Sequence, residues 1–305
     1  MTTATRTLPR TIHKSGGADW RGVLFHGLLL VSLLFSLLIL FTLITDVLMR
    51  GLPVLQERGA DFLTRPTSSS PARSGVAQGI FGTLMMAVFV SVVAFPIGIM
   101  TAIYLEEYAP DNRLTRFINV NIRNLAGVPS VVYGLLGLSI FVLALGPLTG
   151  GRSMIAGGLT LAALVLPIVI ITSAEAIRAV PRSLREAGYG VGASRWEVTR
   201  LLVLPNAAPG ILTGTVLSLS RALGETAPLL LAGAVLGGFS IGSRSFVEQL
   251  FSDYTVLPVT IFDWSRRPQA EFRELTAAAI IILLVITLLA NTIAIVLRNR
   301  YERSW

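Results

Sequence analysis

Six stretches of this chain are each long and apolar enough to cross a lipid bilayer, and that repetition constrains everything else. The hydrocarbon core of a bilayer, about 30 Å thick, is spanned by about 20 residues of helix. Within it each backbone N–H and C=O must find its partner inside the chain, which leaves helices as the form for runs of this length. The runs extend from Val23 to Met49, Val76 to Tyr104, Val128 to Gly146, Met154 to Ser173, Ala207 to Leu236 and Leu275 to Leu297. With 53% hydrophobic and 14% charged residues and a mean hydropathy of +0.71, the chain reads as an all-α polytopic membrane protein with six transmembrane helices.

The same composition excludes several functions. A net charge of +8 in a soluble chain would suggest nucleic acid, but here the basic residues are almost all Arg and lie in loops, where membrane topology and lipid phosphates explain them. No nucleic-acid role is expected. There is no Cys, and the two His, His13 and His26, lie before or within the first apolar run, so neither a catalytic nor a metal site is expected. The single lysine, Lys14, is preceded by His13 instead of the Gly that a phosphate-cradling loop needs. If the protein is energised by ATP, another chain must hold the nucleotide and its Mg, and this chain needs no cofactor.

The sequence between the runs sets the organisation. Residues 1–22 form a polar, basic tail, and residues 23–49 a first helix. Arg50-Gly51-Leu52-Pro53 follows that run in place of a cleavage site, so it reads as a retained span. Residues 50–75, ending in a Ser/Pro-rich stretch, read as a flexible loop on the far side. Residues 109–126 place Leu114, Phe117, Ile118, Ile122 and Leu125 at helical spacing apart from Arg113, Arg116 and Arg123, as in a short interfacial helix. Residues 237–274, rich in Phe and Trp, are expected to lie partly in the interface. Lys and Arg are more numerous on the side that holds the tail, residues 104–126, residues 174–205 and the C-terminal end, 298–305. The positive-inside rule therefore places that side, with both termini, in the cytoplasm.

Two motif matches are accidental. Gly238-Phe239-Ser240-Ile241-Gly242 fits a hydrolase elbow, yet no His lies beyond residue 26 to serve it. Gly188-Tyr189-Gly190-Val191-Gly192 lacks the strand and glycine spacing of a dinucleotide loop.

The fifth run carries a more telling group. At about 100° per residue, Gly210, Gly214, Ser218, Arg221 and Glu225 share one helix face. Small residues there admit a neighbouring helix, and Arg221 and Glu225, four apart, are placed to pair near mid-membrane. One reading is a structural pair that fixes helix register. The other is that Arg221 offers a fork of donors to a crossing anion, with Glu225 limiting how tightly it is held and Thr226 beside them.

The polar stretch from Pro181 to Pro205 lies between two apolar runs and is still built to be helical. Its order is Glu186-Ala187-Gly188, three residues, Gly192, nine residues, then Leu202-x-Leu204-Pro205. This closely resembles the cytoplasmic EAA loop of ABC importer permeases, with Gly188 in place of the second Ala and Leu202 in place of Ile. Residues 126–134, AGVPSVVYG, and 221–228, RALGETAP, are similar to the corresponding segments of phosphate importer permeases. The resemblance covers residues 75–297, leaving the first helix as an addition to a five-helix core, residues 76–297. It implies the type I ABC importer permease fold. It implies also a second homologous permease of the PstC type, a dimer of ATPase subunits and an extracytoplasmic phosphate-binding protein. The loop at 181–205, with Glu186, Ala187, Gly188, Gly192, Leu204 and Pro205, would dock on the ATPase. A permease for molybdate or sulfate, or a scaffold that borrows the fold without transporting, are the alternatives.

Overall fold

A computed structural model describes residues 20–238 and 245–301. The chain divides into two units, residues 1–46 and 47–305. In the first, the helix that begins at Trp20 exposes apolar side chains on all sides, Leu29, Leu33, Phe35 and Phe41 among them, a surface suited to lipid.

That helix, α1 (Trp20–Thr64), runs on well into the second unit with a break at Gly59. The flexible loop expected at 50–75 is therefore wrong in its first half. Apolar side chains set eight apart find partners there: Val54 and Phe62 are buried, and the Phe62 ring lies 6.2 Å from that of Trp264. The rest of the segment is pinned, because Arg58 donates to the carbonyls of Pro71 and Ser74 at 3.0 and 2.6 Å.

The remaining elements follow in order. Helix α2 (Ala77–Ile103) continues through a wide π-type turn to Tyr108, and α3 (Arg113–Ala126) is capped by the Asn112 side chain, which accepts from Thr115 N. Helix α4 (Ser130–Gly137) extends in further wide turns to Ala144, α5 is Gly146–Thr149, and α6 is Met154–Arg178. Then come α7 (Arg182–Gly190), α8 (Arg195–Val198) and α9 (Leu204–Gly224). The last are α10 (Ala227–Leu231), α11 (Phe246–Leu250), α12 (Leu257–Ser265) and α13 (Ala270–Tyr301).

Helix α6 is the hub, with α2, α4 and α9 packed around it. Close approach is the device throughout. A Cβ added at Gly98 would come within 2.6 Å of Val169, and one at Gly137 within 2.1 Å of Thr160. Such small residues replace the hydrophobic effect as the source of helix contact where the solvent is itself apolar.

Five described helices are long and apolar enough to span, and a sixth span exists only if α3 and α4, bent by 102°, count as one. The expected third span is thus a short helical run, Ser130–Ala144, that meets α3 at a sharp bend. The expected fifth span shifts as well: its helix is continuous from Arg195 and stops at Gly224. Pro205 lies within that run, just after a π-type turn at Thr199–Val203. The run ends where Glu225 turns extended, and Pro228 stands in the first turn of the following helix α10.

The aromatic segment also differs from expectation. Tyr254, Trp264 and Phe272 are fully buried in this chain's own core, although Phe251 and Phe262 remain exposed. Phe239 and most of the Gly238–Gly242 stretch lie outside the described residues, as do His13 and Lys14. Burial pushes the Tyr254 hydroxyl well above the ordinary phenol range, so it stays protonated and donates to the Leu229 carbonyl at 3.2 Å. Tyr254→Phe removes one of the two hydrogen bonds that carbonyl accepts, the other coming from the Ala234 N–H at 2.9 Å, at a cost of about 1 kcal/mol, and thermal unfolding in detergent is expected to show a lowered midpoint.

Candidate functional site

Two places collect the polar residues that an apolar chain would otherwise avoid. The first is the bend made by α7 and α8. Gly192 has φ +84 and lies just past the end of α7. There the Ala193 N–H donates to the Gly188 carbonyl at 3.1 Å and the Gly192 N–H to the Tyr189 carbonyl at 3.0 Å, the paired bonds of a Schellman cap. Ser194 and Glu197 then close a capping box that starts α8. The position of Gly192, six residues after Glu186, therefore has a physical cause: it is the residue in the left-handed region that ends α7. Gly192→Ala is expected to destabilise the bend by about 1–2 kcal/mol, with Gly192→Asn milder. Faster amide exchange across residues 186–198 would register it.

Gly188 has a different task. It is buried, and a Cβ there would lie 2.8 Å from both Val198 and Leu202, so α7 folds directly against the start of the next helix. Leu204 packs on that same cluster, while Pro205 is exposed. Glu186 and Ala187 point outward, together with exposed Tyr189, Val191 and Trp196. The bend thus presents a mixed charged and apolar surface on a rigid support.

Its support was not anticipated from the sequence. Arg185 is largely buried and donates through Nε and Nη2 to Glu107 Oε1 at 3.1 and 2.8 Å. Beside it, Arg178 makes a two-pronged pair with Glu106. These groups, with Arg182, Glu186, Tyr189 and Arg195, line a cleft of about 440 Å³. The usable signal was the Glu106-Glu107 doublet at the end of one apolar run facing arginines at the end of another.

The second place is the end of α9. Gly210 faces Ala176 and Gly214 faces Thr172 so closely that a Cβ on either glycine would lie within 2.7 Å of its neighbour. Carrying that antiparallel pairing two turns on sets Arg221 level with Val165, at the middle of α6. Ala222 and Leu223 line a small internal cavity with Leu161, in agreement with that level. Ser218 is buried on the same face. Arg221 Nε donates to Glu225 Oε1 at 3.3 Å.

The pair forms in a geometry unlike the expected one. Glu225 has left the helix, with φ −77 and ψ 124, and reaches back to Arg221 from the break before α10. Thr226 follows it, half-buried, at the start of α10. The Arg221 side chain is 50% exposed and that of Glu225 17%. No described residue takes a hydrogen bond from Nη1 or Nη2 of Arg221. A cation level with the middle of α6, on a face the described residues leave half-open, and with two donors unused among them is an arrangement that can receive an anion.

Comparison with known proteins agrees with this architecture. Residues 94–303 match the family described as binding-protein-dependent transport system inner membrane component. The phosphate transport system permease protein PstA of Yersinia pestis is 33% identical over 268 residues, which cover 87% of this chain and 85% of that protein. PstA 1 of Mycobacterium tuberculosis is 37% identical over 213 residues, 70% of this chain and 67% of that one. Among solved structures, an inward-facing methionine transporter, MetNI, superposes with a TM-score of 0.60 at 17% identity, over 75% of this chain and 96% of its own. A bacterial ABC transporter involved in alginate import gives 0.63 at 15% identity, over 93% and 97%. The fold is that of type I ABC importer permeases.

Proposed function

This chain belongs to the binding-protein-dependent transport system inner membrane components, and we propose that within that family it is the A-type permease of an ATP-driven importer of inorganic phosphate. The observation that carries this reading is Arg221: half-exposed, level with the middle of α6, held on one side by Glu225 and with neither Nη atom bonded to a described residue. A permeation route for an oxyanion must be positive without being a trap, and a partly neutralised guanidinium satisfies both demands. The names of the relatives, phosphate transport system permeases, support the choice of anion.

The open face at Arg221 is where a second, homologous permease of the PstC type completes the route. Both termini and the α7–α8 bend lie in the cytoplasm, where the exposed surface around Glu186, Ala187 and Tyr189 docks on a dimer of ATPase subunits that hold ATP and Mg. A phosphate-binding protein delivers the anion on the opposite side. Closure of the ATPases moves α7, and the two permeases open outward to receive the anion.

Uptake of labelled phosphate by vesicles that carry the whole complex tests the substrate. Uptake is expected to require ATP and to be competed by excess phosphate but not by sulfate or molybdate. Uptake insensitive to phosphate would assign the route to another oxyanion, and a complex that assembles without any uptake would support a scaffold.

A further inference from the structure

We propose that the buried Arg185–Glu107 pair is the joint through which movement of α7 enters the membrane, by way of α2 and α6 together and not through α9 alone. The inference rests on the reading of this chain as an ATP-driven permease. Its basis is the set of bonds that one guanidinium makes. Arg185 sits on α7, and besides its two bonds to Glu107 it donates through Nη1 to the Val180 carbonyl at 2.6 Å and through Nη2 to the Ile177 carbonyl at 2.9 Å. Glu107 lies in the turn that ends α2 and is 5% exposed. Ile177 and Val180 are the last buried residues at the end of α6. A single side chain thus ties α7 to two membrane helices at once.

Three further contacts make the tie rigid. Glu106, next to Glu107, pairs with Arg178 at the end of α6, which fixes the α2 turn to the same helix. Ala102 is buried in one cluster with Ile177, Val180, Val198 and Val203, so no slack lies beneath the ion pairs. Farther along, Gly98 lets α2 meet α6 at Val169, about one turn from the level of Arg221. Any displacement of α7 must either break this set of charge-assisted bonds or carry α2 and α6 with it. In the second case the displacement is carried along α6, against which α9 packs through Gly210 and Gly214, toward the level of Arg221 two turns farther on.

Glu107 and Arg185 are positioning residues in this scheme, so the decisive quantity is the number of anions imported per ATP hydrolysed. The complete complex, with its ATPases and binding protein, is reconstituted in liposomes with Glu107→Gln, and phosphate uptake and ATP hydrolysis are measured together. Hydrolysis is expected to stay within about twofold of the unaltered complex while uptake falls about tenfold, so the ratio drops. Arg185→Lys, which keeps the charge but loses the fork, is expected to lower the ratio less. Where the single change leaves too little folded protein, Glu107→Gln with Arg185→Gln removes both charges, leaves no unpaired one, and serves the same measurement. An unchanged ratio, whether both rates hold or both fall in proportion, would overturn the joint. An unaltered complex with no ATP-dependent uptake would overturn the functional reading, and the joint with it.

Discussion

Arg221→Ala is expected to lower phosphate uptake about 100-fold while the variant chain accumulates in the membrane at its normal level. Two donors, Nη1 and Nη2, have no partner among the described residues and are available to an anion. Each charge-assisted hydrogen bond contributes about 1.5–3 kcal/mol, and about 1.4 kcal/mol is a factor of ten, so losing both predicts roughly two orders of magnitude at the lower end of that range. Arg221→Lys keeps the charge as a point without the fork and is expected to retain part of the activity. Glu225→Gln relieves the counter-charge. It should lower the KM and slow turnover, because an anion held more tightly leaves more slowly.

The rival account, in which the pair only fixes helix register, makes a different forecast. It requires loss of folded protein in either single variant and recovery in the double variant Arg221→Ala, Glu225→Ala, which leaves no unpaired charge. The half-exposed Arg221 argues for a small structural cost, since the face is open and Glu225 is bound through one atom at 3.3 Å. Membrane levels and uptake, measured in the same cells for all three variants, separate the two accounts.

How far the sequence leads depends on whether the physics is local. Gly192 was legible because a helix end that needs a left-handed residue declares itself at fixed spacing from the helix it ends. The closeness of Arg221 and Glu225 was legible for a similar reason, four residues of chain, although the helix that was to carry both stops at Gly224. Pro228 follows that end by four residues, while Pro205 and Pro209 leave the helix running. Proline alone therefore does not announce a boundary.

Features that depend on distant partners were not legible. Nothing near Glu107 in the sequence indicates that its partner is Arg185, 78 residues away. The segment 254–265 has the aromatic content of an interfacial stretch, and residues 254–260 are buried where glycines on α2 and α6 make room for them: a Cβ at Gly157 would lie 2.1 Å from the Tyr254 hydroxyl. Apolar content alone cannot distinguish lipid from a protein neighbour, because both satisfy the same side chains.

Gly82→Ala is expected to have the largest effect on folding. A Cβ at Gly82 would lie 1.8 Å from the carbonyl oxygen of Thr255, a backbone atom that no rotamer change can move aside. Thr255 has no room to retreat, since Tyr254, Thr255, Val256 and Leu257 are all buried. The segment is also bonded in place, with the Leu257 N–H donating to Thr83 Oγ1 at 2.9 Å and the Tyr254 hydroxyl to Leu229. The added methyl must displace α2 by about 1 Å, a strain at or above the roughly 1–3 kcal/mol usual for overpacking. One turn earlier, a Cβ at Gly79 meets chiefly the Leu257 side chain at 3.1 Å, which can give way, so Gly79→Ala is the matched control. The yield of monodisperse protein in detergent should fall severalfold for Gly82→Ala and little for Gly79→Ala; equal yields would mean that α2 and the 254–257 segment are not in backbone contact.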